Sequence, residues 1–219
     1  MVALRLRLLD DPYLKAIPSM RPEARKTARY FHAKNDCPEV RMEMFRLLAR
    51  QDIKVQVGIR RKVALIKEAR GARAAGRPWN PNVVYDNLIK TLFKRLLHKA
   101  ESLICFARRG KSYREEALNS AILRARENFL RDNPGITADT PIRVVPSMPD
   151  AVPGLQAVDY FLWALQRFYE RGEDRYFNFL REHYRLIMDF DDRRRNKRYG
   201  EWYRDRNPLT KAKMKPVTG

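Results

Sequence analysis

The side chain in this sequence whose surroundings most suggest chemistry is Asp159. It lies in Leu155-Gln156-Ala157-Val158-Asp159-Tyr160-Phe161-Leu162-Trp163, a run dominated by apolar and aromatic residues. At 3.6 residues per turn, Gln156, Asp159, Trp163 and Gln166 fall on one line, and Leu155, Val158, Leu162, Leu165 and Tyr169 form the adjoining core face. A carboxylate walled by such neighbours is costly unless a donor, a cation or a metal stands beside it. Two roles meet that need: a functional carboxylate at a metal or proton-transfer site, or a structural aspartate satisfied by a neighbouring arginine or backbone N–H.

The other reactive groups are sparse. His32 closes Tyr30-Phe31-His32, where a lone histidine is more often structural than catalytic, and His98 and His183 sit among charged neighbours in helical stretches. Cys37 and Cys105 are the only cysteines, far apart and without a C-x-x-C, which excludes a disulfide framework and a zinc finger. Neither has a histidine partner suggested by spacing. Arg109-Gly110-Lys111-Ser112 follows a strand, but a phosphate-binding P-loop needs glycine where Cys105 stands. What remains is a helix start flanked by Arg108, Arg109, Lys111 and Arg114, whose N–H groups and cations suit a phosphate.

Charge points the same way. Across 219 residues, 46 Lys and Arg stand against 26 Asp and Glu, a formal net charge of +20. That excess is extreme for an enzyme of small neutral substrates and implies a polyanionic partner. Aromatics interleaved with the basic residues favour nucleic acid, RNA or DNA, over an anionic membrane. No apolar run is long enough to span a bilayer and no secretory leader is visible, so a cytoplasmic protein is expected.

Alternating helix and strand signals predict an α/β domain over residues 1–190, with a basic extension over 191–219. Leucine and arginine alternate near the N-terminus, which suggests a half-buried strand over residues 1–8, and Arg29 to Ala33 reads as a second short strand. Asp36 and Glu39 fit a capping box opening a helix that runs to about Arg50. Ile53 to Ile59 alternates as a strand does and ends on Arg60-Arg61-Lys62. Lys67 to Arg77, with Arg70, Arg73, Gly71 and Gly76, reads as a mobile basic loop. Asn80-Pro81 starts a helix, and Ser102 to Ala107 is a strand. The Ser112-x-x-Glu115 box opens another helix, and Ile142 to Val145 is a further strand. Pro153 and Gly172 bound the central helix, and Asp174 to Met188 is read as one more. Beyond Arg193 the basic residues surround Tyr199, Trp202 and Tyr203, as a nucleic-acid arm or a solvated extension would.

Tyr30-Phe31-His32-Ala33-Lys34-Asn35-Asp36-Cys37-Pro38-Glu39, Ile59-Arg60-Arg61-Lys62, Phe106-Ala107-Arg108-Arg109-Gly110 and Gly154-Leu155-Gln156-Ala157-Val158-Asp159-Tyr160 together resemble the domain of unknown function 3800 family. This is a prokaryotic group regarded as ribonuclease H-like. The resemblance spans nearly the whole chain; its specific parts are Phe-His-Ala and Leu-Gln-x-x-Asp-Tyr. It implies a mixed central sheet flanked by helices, with Asp159 directed at a metal centre and His32 and Lys62 bordering the same pocket. The implied chemistry is in-line phosphodiester hydrolysis with Mg2+ or Mn2+. Arg60, Arg61, Arg70, Arg73, Arg108, Arg109, Lys111 and Arg114 would face the phosphates.

Members of that family usually begin with a strand carrying Asp-Glu-Ser-Gly, and this sequence has no Asp-Glu dipeptide. The expectation is a sheet without its first strand, with an exposed edge at which two copies could pair. Asp159, helped by Glu39 or Asp150, leaves too few carboxylates for two hard cations unless the missing ones are supplied. Little or no nuclease activity is therefore expected. The rival readings are a non-catalytic nucleic-acid-binding module and an interaction protein of a mobile-element or defence locus.

Overall fold

The computed structural model describes residues 1–16, 30–94, 101–108, 115–136, 140–194 and 200–214. His98, Arg109, Lys111 and Arg114 lie outside the described residues, so the phosphate-binding turn expected there is not described either. Among those described, helices surround two small sheets in a mixed α/β arrangement.

The central helix, α7, runs from Pro153 to Arg171 and ends at Gly172, whose φ of 65° is the left-handed conformation that terminates helices. Its buried face carries Gln156, Ala157, Tyr160, Phe161, Ala164, Leu165 and Phe168. The expected core face was misjudged by part of a turn: Val158 and Leu162 are exposed at 52% and 47%. Around α7 pack α3 (Pro38–Ala49), α8 (Arg175–Phe179) and a three-stranded sheet. That sheet has the order β1 (Val55–Ile59), β4 (Tyr184–Asp189), β5 (Glu201–Tyr203), with β1 parallel to β4 and β5 antiparallel to it. The mixed character expected of the sheet is thus present, with β4 at its centre.

A second core is built by α6 (Glu115–Asp132), whose Leu118, Ile122 and Ala125 pack on the parallel pair β2 (Ser102–Ala107) and β3 (Ile142–Ser147). Helix α5 (Pro81–Phe93) joins the two cores. Its Ile89 and Phe93 reach the second, while Leu88 lies close over Gly58 of β1. Asn80 caps it, as its type predicts, by accepting the Asn82 backbone N–H.

Several expectations are corrected. Residues 2–10 form helix α1 (Val2–Asp10) rather than a strand: Leu, Ala and Arg are strong helix formers, and Leu4 and Leu8, four apart, meet the core while Leu6 is 57% exposed. A short α2 (Pro12–Ala16) follows. Residues 30–33 are no strand, because the N–H groups of Phe31, His32 and Ala33 are taken by side chains instead of a neighbouring strand. Lys67 to Arg77 is mostly helix α4 (Lys62–Ala74), closed by Gly76 at φ 64°, with Gly76 N–H bonded to Arg73 and Arg77 N–H to Ala72. The span read as a helix from Asp174 to Met188 holds α8, a 3-10 turn at Arg181–His183 and strand β4. Within residues 200–214, in the span expected as a basic extension, β5 completes the sheet and Leu209 is buried.

Candidate functional site

The two specific segments of the resemblance meet in space. Three side chains of α7 at spacing i, i+3, i+4 hold the turn at residues 31–36. Gln156 Oε1 accepts the Phe31 N–H at 3.0 Å, and its Nε2 donates to the Pro149 carbonyl at 2.7 Å. Asp159 Oδ2 accepts the Ala33 N–H at 2.8 Å. The Tyr160 hydroxyl donates to Asp36 Oδ2, which also accepts the His32 N–H at 2.9 Å. From the other side Arg41 donates to the carbonyls of Ala33 and Asp36. Asp36 is therefore a clamp within the turn rather than a helix cap; Cys37 occupies the N-cap position with no side-chain bond.

Burial gives this clamp its electrostatics. Asp36 is 2% exposed, and its Oδ1 has no hydrogen-bond partner. Desolvation pushes its carboxyl up to about 6, although the Tyr160 and His32 bonds oppose the shift. Burial and the Asp36 charge raise the Tyr160 hydroxyl as well, so it stays a donor.

His32 and Asp159 come together, with Nδ1 3.5 Å from Oδ2, both about a third exposed. The same Nδ1 is placed to accept the Lys34 N–H at 3.3 Å. No hydrogen bond joins that nitrogen to Asp159, so the contact lacks the arrangement of a base and its orienting carboxylate. Of the two roles open to Asp159, the backbone-satisfied aspartate is the one whose geometry is present. Lys62 is elsewhere: it begins α4 at the C-terminal end of β1, in a groove that also takes in Tyr169 of α7. Tyr169 is ten residues from Asp159, about 15 Å along a helix.

At that end of β1 and β4 lies a second cluster that the sequence reading missed. Asp189, with a fully buried side chain, accepts from Arg61 Nη2 at 2.7 Å and from the Tyr169 hydroxyl at 3.1 Å. Asp191 accepts from Arg60 Nε at 3.1 Å and from the Arg61 N–H at 2.6 Å. Asp192 accepts from the Tyr203 hydroxyl and pairs with Arg194 at 3.1 Å. Arg60 also reaches Glu68. Arg60 and Arg61, expected as phosphate contacts, are thus anchored to carboxylates. The signal was available: Asp189-Phe190-Asp191-Asp192 closes an apolar run, and parallel pairing sets it beside Arg60-Arg61.

Among the described residues the carboxylates do not fit the implied divalent cations. Glu39 is exposed on the first turn of α3, Asp159 is held by Ala33, and each aspartate of the second cluster faces an arginine. Among the described residues no group of three His, Cys, Asp or Glu side chains is arranged to hold a metal ion.

The remaining phosphate-facing candidates are surface groups. Lys62, Arg70 and Arg73 are exposed on α4, and Arg108 is exposed at the end of β2. Ala64, Leu65, Ala69 and Ala72 of α4 are half-buried, and its charged side chains are exposed. Beside it opens a groove of about 1040 Å³ between α4, α5, α7 and the end of β1. No helix among the described residues is long and apolar enough to cross a membrane. Comparison with protein-family models, with curated proteins and with solved structures finds no match.

Proposed function

We propose that this chain binds nucleic acid through the basic face of α4, as a ribonuclease H-like protein of the 3800 family. The observation that carries the binding role is α4 itself. Its solvent-facing side presents Lys62, Lys67, Arg70 and Arg73, with Arg77 beyond it, against Glu68 alone. Glu68 is in turn occupied by Arg60. Such a face contributes phosphate contacts and little else. The family reading is supported by the way Gln156 and Asp159 grip the Phe31-His32-Ala33 segment, which makes the two resembling motifs one structural unit. A nuclease role with Mg2+ or Mn2+ would need further carboxylates beside Asp159.

The test is fluorescence anisotropy with labelled RNA and DNA oligonucleotides across a NaCl series. Log K should fall linearly with log salt, by about 0.7 to 0.9 for each phosphate neutralised. The triple variant Lys67→Ala/Arg70→Ala/Arg73→Ala should bind more weakly, with a slope shallower by about 2. An absence of salt-sensitive binding to both polymers would favour the interaction-protein reading instead.

A further inference from the structure

The geometry points to single-stranded nucleic acid as the ligand, with unstacked bases entering the groove beside α4 while the phosphates run along that helix. This rests on the nucleic-acid reading above and adds which form of the polymer is bound and where its bases go. The groove walls are mainly apolar, and large side chains stand exposed on them: Trp79 at 37%, Tyr85 at 42%, Leu162 at 47% and Val63 at 80%. They come from α4, from α5 and the residue preceding its cap, and from α7, so the patch is a meeting of elements rather than scattered surface residues.

Charge complementarity selects the occupant. Lys62 and Lys67 line the same groove from α4, and Arg70 lies one turn beyond Lys67. The groove also contains Glu170 and Asp191, but Asp191 is paired with Arg60. An apolar cleft edged by cations fits a ligand that is flat and apolar on one side and anionic on the other, which describes an unstacked base on its phosphate. A duplex keeps its base faces stacked inside and would leave the apolar walls wet. Trp79 and Tyr85 supply the aromatic faces on which bases stack irrespective of sequence.

The experiment compares binding of labelled oligo(dT), oligo(U) and a mixed-sequence duplex of equal length to the full chain at fixed salt. Either single strand should bind at least about tenfold tighter than the duplex. Trp79→Ala should weaken single-strand binding about tenfold, leave duplex binding unchanged, and be rescued by Trp79→Phe. Circular dichroism and melting of each variant confirm folding, and Tyr85→Ala provides an independent second site. Equal affinity for single strand and duplex, with both alanine variants unaffected, would overturn the groove assignment while leaving the nucleic-acid reading intact. Displacement of the oligonucleotide by poly-glutamate at equal charge, with Trp79→Ala unaffected, would overturn it too. Failure of all three probes to bind at low salt would overturn both readings.

Discussion

A carboxylate placed as Asp36 is, with one oxygen doubly bonded to donors and the other buried without a partner, is more easily kept in its neutral form than in water. Its folded value of about 6 lies above the ordinary 3.8, so between those two values the folded chain holds a proton that the unfolded chain has released. Stability from this group is therefore full below about pH 4 and falls as pH rises toward 6, by roughly 3 kcal/mol in all. Asp36→Asn, neutral at every pH, should abolish that slope. Urea denaturation of both proteins at several pH values tests this; a constant difference between them would show that the carboxylate is not desolvated. Gln156 offers a second test. It is 4% exposed with both ends of its amide engaged, so Gln156→Leu strands the Phe31 N–H and the Pro149 carbonyl. The variant should lose about 2 kcal/mol or more in the same assay. A loss under about 0.5 kcal/mol would mean water replaces the clamp at little cost.

At the scale of elements, two left-handed glycines separate backbone conformation from packing. Gly76, at φ 64°, ends α4 in open space, while at Gly200, φ 75°, an added Cβ would stand 2.1 Å from the Asp189 carbonyl oxygen. Gly76→Ala should thus cost only about 1 kcal/mol, and Gly200→Ala about 3 kcal/mol or more, with loss of the β4–β5 ladder. Hydrogen exchange at the amides of Ile187 and Tyr203, which face each other across the ladder, would report that loss, and equal costs for the two variants would contradict the crowding at Gly200. The same elements show where a sequence is informative. The start of α5 at Asn80-Pro81, the stop of α7 at Gly172, and strands β1, β2 and β3 were legible because caps, breakers and alternation act locally. Strand β4 was not. As the central strand, packed from both sides, it shows Leu186-Ile187-Met188 as an unbroken apolar run that has no period of its own. Missing it hid the aspartates at its end, and with them the reason Arg60 and Arg61 are where they are. Asp159 was expected to be walled by apolar side chains but is 39% exposed, and the backbone N–H it binds, 126 positions away, has no local signature.

For the molecule as a whole, the net charge of +20 acts on folding as well as on binding. Carboxylates offset part of the excess in pairs such as Arg7–Glu43, Lys94–Asp132 and Arg167–Glu173, mostly at the surface, where each contributes little. The unpaired remainder repels itself, and the compact state suffers more than the expanded one. Salt should then have opposite effects on the two properties. Raising NaCl from about 0.01 M to about 0.1 M shortens the screening length from about 30 Å to about 10 Å, which damps repulsion across the molecule more than attraction within close pairs. The melting temperature should rise over that range while affinity for an oligonucleotide falls. Scanning calorimetry on the free chain, alongside the binding series, measures both. A melting temperature that drops with salt would show that the surface pairs outweigh the repulsion, and that the positive charge is already balanced where it is densest. A rise confined to the free chain and absent in its oligonucleotide complex would place the repulsion on the face that the phosphates cover.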